Sequence, residues 1–206
     1  MLLQHPLAAV APTLGTSVLS VLAGADTSFT VTRIHNVLEQ KASPTGIRKA
    51  LAPLVAQGLV SEVVLGKTHA YSLNRRHLLA EPLLAMTNAK ERLLVKIETL
   101  VESWPIQPVT VTLFGSAARG DMHVDSDIDI FVVFPDDANQ DVVDEVIYGL
   151  AEQVNGWTGN DVRPLVYRTA EVTPAPIFDS IVSEGITVAG DSNWLRRTLR
   201  RQRAAS

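Results

Sequence analysis

The sequence contains no cysteine among its 206 residues, which excludes disulfides and thiolate metal ligands and suits a reducing cytoplasm, the expected compartment. It also lacks any uninterrupted apolar run near the roughly 18 to 20 residues that a membrane span needs, so no membrane association is expected. The apolar opening MLLQHPLAAVAPTLGTSVLSVLAGA has no Lys or Arg in its first residues, and Pro6 and Pro12 interrupt it. It therefore reads as folded protein and not as a secretory leader, although Ala23 and Ala25 imitate a cleavage site. Internal repeats and low-complexity tracts are missing too. None of His5, His35, His69, His77 and His123 has metal-ligand spacing, and no zinc site is expected.

What is present is a globular composition, 46% hydrophobic and 19% charged, in a length that suits two small domains. The net charge of −4 conceals an asymmetry. Residues 1–104 hold 10 Lys and Arg against 7 Asp and Glu, whereas residues 105–206 hold 8 against 15. Five of those eight are Arg196, Arg197, Arg200, Arg201 and Arg203, so the stretch before them is strongly acidic. Such a surface repels polyanions unless metal ions intervene, which places any nucleic-acid contact nearer the ends than the centre.

The first part reads as three helices and a hairpin. Leu14, Val18, Leu19 and Leu22 recur at helical spacing within Thr13–Leu22, and Val31, Ile34 and Val37 or Leu38 do so within Thr30–Glu39. A third helix begins at Ser43 as N-cap with Pro44 in its first turn, carries the stripe Ile47, Leu51, Leu54, Val55, and stops at Gly58. Pro53 argues against that helix, since an interior proline kinks or breaks one. Thr45, Arg48 and Lys49 fall on its other faces. LVSEVVLG and HAYSLN then read as strands around the turn Gly66-Lys67-Thr68. This run, from Ser43 to Asn74, resembles the recognition helix and wing of the winged helix-turn-helix family. The resemblance implies a double-stranded DNA contact through Thr45, Arg48, Lys49 and Lys67, and a homodimer would suit paired half-sites. Ordinary surface charge is the bland alternative for these cations, because an excess of three is small for a DNA-binding face.

A long helix is expected from about Pro82 to Trp104, ended by Pro105. From Val109 the period changes to two: VTVTLF and DIDIFVVF read as strands, residues 138–155 as an amphipathic helix, DVRPLVY as a third strand, and Trp194–Arg203 as a last basic helix. The expected fold class is α+β. Residues 1–78 form the winged helix-turn-helix, residues 79–192 a mixed β-sheet with flanking helices, and residues 193–206 a basic tail, with the boundary near 78–82.

The chemically informative run is FGSAARGDMHVDSDIDIFVVF, residues 114–134. Gly115-Ser116 follows a strand directly, where glycine lets the backbone approach a ligand and serine adds a hydroxyl. Asp127 and Asp129, two apart on the next strand, share one face with Cα atoms roughly 6 to 7 Å apart, so both carboxylates can converge on divalent cations. Solvated acids at a strand edge are the bland alternative, which the upstream Gly115-Ser116 and the apolar IFVVF continuation disfavour. Asp121, His123 and Asp125 read as loop residues.

Gly-Ser, then Ala-Arg-Gly-Asp, then Asp-Ser-Asp-Ile-Asp resembles the signature of the DNA polymerase beta-like nucleotidyltransferase superfamily, particularly its small single-domain members. The resemblance implies transfer of a nucleoside monophosphate from an NTP, with Gly115 and Ser116 gripping the triphosphate and Asp127 and Asp129 coordinating Mg²⁺ or Mn²⁺. It also implies that Arg119 orients the loop or touches phosphate. The family adds a third carboxylate from a neighbouring strand. Asp161 is the candidate, yet it stands at the strand's start, and the position where a carboxylate is expected can instead be Arg163, which would leave turnover slow or lost. Two functions follow. One is an active nucleotidyltransferase acting on a protein, an RNA or a small molecule beside a DNA-binding module. The alternative is a winged-helix regulator whose weak or inactive nucleotidyltransferase fold senses nucleotide or mediates association.

Overall fold

The computed structural model describes residues 1–38 and 41–205. Contacts divide the chain into two compact units, one of Leu2 and Gln4–Ala89, the other of Met1, Leu3 and the chain from Lys90 onward.

In the first unit α1 spans Leu14–Ala23, capped by Thr13, whose hydroxyl accepts from the Thr16 amide. The two-residue strand β1, Phe29–Thr30, leads into α2, Val31–Val37, with Thr30 as its cap. The expected end of this helix at Glu39 lies outside the described residues. Helix α3 spans Pro44–Ala56: the Ser43 hydroxyl accepts from the Gly46 amide at 3.0 Å, and Pro44 fills the first position, where no N–H is needed. Pro53 sits inside α3 without ending it. Being in the last turn, it forfeits a single ladder bond, and its own carbonyl still accepts from the Gln57 amide.

Strands β2, Val60–Leu65, and β3, Thr68–Leu73, form an antiparallel hairpin around Gly66-Lys67, and β1 pairs with the far side of β3. Gly66 has φ +63° and Lys67 a negative φ, so the tight turn needs glycine at its first position only. Thr68, expected in the turn, belongs to β3. Val18, Leu22, Ile34, Ile47 and Leu51 form the centre of a core in which each is almost fully buried.

The helix expected from Pro82 to Trp104 is two helices, α4, Ala80–Thr87, and α5, Ala89–Glu102. The Thr87 hydroxyl donates back to the Leu84 carbonyl, and Asn88 leaves helical geometry at ψ 28°. Leu83 and Leu84 pack on the first core, which carries the division between the units to Ala89/Lys90, past the expected 78–82. Three residues ahead of Pro105, α5 stops; the Gln107 side chain donates to the Val101, Glu102 and Trp104 carbonyls left over at its end.

The second unit continues with β4, Thr110–Phe114; α6, Gly115–Arg119; β5, Ile128–Phe134; α7, Gln140–Thr158; β6, Val162–Arg168; α8, Pro176–Glu184; β7, Ile186–Gly190; and α9, Trp194–Ala205. The sheet order is β6-β5-β4-β7. Strands β4 and β5 are antiparallel, as are β4 and β7, while β5 and β6 are parallel, which requires the crossover supplied by α7. The sheet is mixed, with flanking helices. On one face Phe114, Phe131 and Val133 pack with Phe178 and Ile181 of α8 and with Leu195 and Leu199 of α9. On the other, Ile128, Ile130, Val132 and Phe134 are fully buried, and Trp104 stacks on Phe134 with centroids 6.0 Å apart.

The basic segment expected as a tail is the packed helix α9. Leu195 and Leu199, one turn apart, anchor it, and the Gln202 side chain donates to the Val172 carbonyl. Its arginines stay exposed, Arg197 pairing with Asp191 and Arg203 with Asp179. Among the described residues no helix is long and apolar enough to cross a membrane.

Candidate active site

Register brings the site together. Asp129 of β5 lies between Phe114 of β4 and Arg163 of β6, and these three positions share the sheet face that continues into Phe131 and Val133. Asp127 stands one residue before β5 and two from Asp129, so it belongs to the same face. The acids therefore sit at the strand's start, where the apolar cover supplied by α8 and α9 gives way.

Gly115 follows β4 with φ +68°, and a Cβ there would overlap Oδ2 of Asp129. Both facts exclude any side chain: L-residues are strained at this φ, and the Asp129 carboxylate already occupies the space. The glycine thus lets a main-chain turn lie directly against a carboxylate. The Ser116 carbonyl accepts from the amides of Gly120 and Asp121, closing the short α6, while the Ser116 hydroxyl has no protein partner among the described residues. Lys90 donates to the Ala118 carbonyl at 2.7 Å.

The two acids differ in environment. Asp127, its side chain 20% exposed, forms an ion pair with Arg163, whose Nη2 lies 2.8 Å from its Oδ2. Asp129 has no hydrogen-bond or ion-pair partner among the described residues, and its pKa is raised, first by burial and then by the charge of Asp127; Arg163 and Arg119 oppose the rise. An unpartnered carboxylate held beside a second one is costly unless a cation or a proton neutralises it.

Arg119 faces two acids, Nε donating to Asp121 at 3.0 Å and Nη1 to Glu184 at 2.8 Å, which ties α6 to α8. These carboxylates push the guanidinium pKa above its ordinary value. Asp161 contributes its carbonyl, which accepts from the Ile128 amide at 2.8 Å, while its side chain is exposed. The position in register with Asp129 on β6 is Arg163. Among the described residues no three His, Cys, Asp or Glu come together as a metal cluster, so the available acidic ligands are the pair Asp127 and Asp129.

Sequence reasoning missed the residues that hold the loop entering β5. Buried Asn160 donates from Nδ2 to the Ser126 carbonyl at 3.0 Å, and the Asn155 side chain donates to the Asn160 carbonyl. The Ser126 hydroxyl accepts from the His123 amide at 2.8 Å. These contacts join positions up to 34 apart and leave no periodic trace. Glu184, on α8, is equally invisible without the fold. In the first unit Thr45, Arg48, Lys49 and Lys67 are all exposed, the first three on α3 and the last at the hairpin turn.

Residues 95–175 match the family model of the nucleotidyltransferase domain, and the match brackets β4, the Gly115 turn, both acids and Arg163. The chain carries a nucleotidyltransferase domain. It is an enzyme of that class. No curated protein matches the sequence. Among solved structures it is similar to a toxin-antitoxin complex with AMP-PNP, at 20% identity, covering 54% of this chain and 85% of that one, with a TM-score of 0.41. It is also similar to the tri-AMPylated Shewanella oneidensis HEPN toxin in complex with MNT antitoxin, at 17% identity, covering 56% and 85%, with a TM-score of 0.39.

Proposed function

We propose that the nucleotidyltransferase domain transfers a nucleoside monophosphate from an NTP to an acceptor hydroxyl of a protein, an RNA or a small molecule, with release of pyrophosphate, and that the first unit is a winged helix-turn-helix that binds double-stranded DNA. The observation that carries the enzymatic reading is the contact of Gly115 with Asp129, which sets a main-chain turn against one of two same-face carboxylates.

The donor set fits Mg²⁺ or Mn²⁺. Such ions take one or two carboxylates and complete their shell with water and substrate phosphate oxygens, so Asp127 and Asp129 would hold the ion together with the nucleotide. Once bound, the ion would supply neutralisation of charge on the departing pyrophosphate and a lowered pKa of the attacking hydroxyl. Gly115 lets the main-chain turn lie directly against Asp129, so that a triphosphate gripped by the turn would reach the metal-binding carboxylates, and the Ser116 hydroxyl is free to donate to it. Arg119, through Asp121 and Glu184, keeps the turn against α8, so that positioning and electrostatics do most of the work. Asp161 is proposed as the general base, acting from the rim and not as a metal ligand beside Asp127 and Asp129.

Incubation with Mg²⁺, each radiolabelled NTP and a cell extract should label an acceptor, and the double change Asp127→Ala, Asp129→Ala should abolish it. Absence of labelling with all four NTPs would falsify the enzymatic reading. The regulator alternative draws its support from the Arg163–Asp127 pair, which sets a cation against one of the two ligands. It predicts sequence-specific DNA binding that weakens with salt, together with nucleotide binding without transfer.

A further inference from the structure

We infer that Arg163 is a fixed cation of the site, so that Asp127 and Asp129 take up one divalent ion with the nucleotide and not two. This rests on the nucleotidyltransferase reading above.

Three observations converge on it. The parallel register of β5 and β6 sets Arg163 opposite Asp129 on the shared face, and its Nη2 lies 2.8 Å from Oδ2 of Asp127. A guanidinium has donors and no acceptor, so Arg163 meets Asp127 only as a competing cation. Next, among the described residues no third acidic or histidine ligand joins the pair, and the nearby Asp161 turns its carbonyl, not a buried carboxylate, to the strand. A clamp of two cations about 3.5 to 4 Å apart needs ligands for both. Here one of the two carboxylates is already shared with a cation of the protein's own. Finally, a second ion at Asp127 would have to sit beside the positive charge of Arg163, which repels it.

Arg163 also has the reach to change partners. Its side chain is 73% exposed, so it is held by Asp127 on one side only. When a cation claims Asp127, the guanidinium turns from the carboxylate to a phosphate oxygen of the nucleotide, which it can bind with two parallel donors. Arg163 thus competes with the ion before the nucleotide arrives and cooperates with it afterwards.

The full-length chain, titrated with Mn²⁺ in the presence of each of the four α,β-methylene NTP analogues in turn and followed by electron paramagnetic resonance and calorimetry, should bind one Mn²⁺ per chain. Arg163→Asp should bind two. Arg163→Gln should still bind one; without nucleotide its affinity for Mn²⁺ should rise about five- to tenfold because the competitor is gone, and its affinity for the analogue should fall about tenfold. Two Mn²⁺ in the unaltered chain would overturn the inference while leaving the transferase reading intact, as would an Arg163→Gln protein with unchanged Mn²⁺ affinity. Uptake of neither Mn²⁺ nor any analogue by the unaltered chain would remove both. Should Arg163→Asp fail to fold, the unaltered chain and Arg163→Gln decide the question.

Discussion

Helix α3 and the start of strand β5 handle charge in opposite ways. On α3 the folding is done by Ile47 and Leu51, buried on one stripe, while Arg48 and Lys49 project from other faces into solvent. On β5 the charged and apolar residues share one face: Asp129 lies in line with Phe131 and Val133, two and four residues on. Charge on α3 is therefore separable from stability, and charge on β5 is not. A recognition surface built the first way can vary its cations freely. A site built the second way binds its chemistry to the packing around it.

Gly115→Ala tests the coupled side most severely. The added methyl overlaps the Asp129 carboxylate at a φ that alanine adopts only under strain, so nucleotide transfer should fall more than about a hundredfold although both acids remain. Steady-state labelling rates measure this, and an alanine variant of near-normal rate would mean that the turn does not serve the site. On the separable side, Arg48→Ala with Lys49→Ala should weaken DNA binding about tenfold at low salt and flatten the salt dependence by one to two units of slope, with transfer and melting temperature untouched. Anisotropy titrations over a salt series check this, and an unchanged slope would remove the proposed DNA surface.

Asp129→Asn addresses stability. Because the Asp129 carboxyl titrates higher in the folded than in the unfolded chain, its ionisation opposes folding. The stability is fully present below the unfolded value and is lost as pH rises through the raised folded value. Asparagine never ionises, so in metal-free buffer the variant should melt a few degrees above the parent at pH 7, with the gap closing below the ordinary carboxylate range. A gap that widened on acidification would contradict the burial of Asp129. The smallest effect is expected from Asp26→Ala. It breaks an exposed pair with Arg75 at 2.9 Å worth at most about 1 kcal/mol, and thermal melts should scarcely separate the two proteins.

Much of the first unit was legible because its signals are local. Ser43, Pro44 and Gly58 delimit α3 by capping chemistry, and the turn at Gly66 follows from a tight hairpin's need for positive φ. The break at Asn88 was not legible, since the apolar spacing runs on across it and only hydrogen bonding at Thr87 ends α4. In the second unit the strands and the Gly-Ser and Asp-x-Asp spacing stood out. The partner of Asp127 did not, because Arg163 lies 36 residues away and reaches it only through the parallel register. The last basic helix was legible at Trp194–Arg203, but not that Leu195 and Leu199 pack it so that its arginines form the outer face and are no free tail.

The amino-acid sequence by itself determined which backbone turns are possible and which residues can share a face, since capping, positive φ and the two-residue period of a strand act over a few positions. Tertiary structure alone decided what those residues meet. Strand order and register placed a carboxylate against a glycine and an arginine against its neighbour, because pairing across a sheet brings together groups that no short-range rule connects.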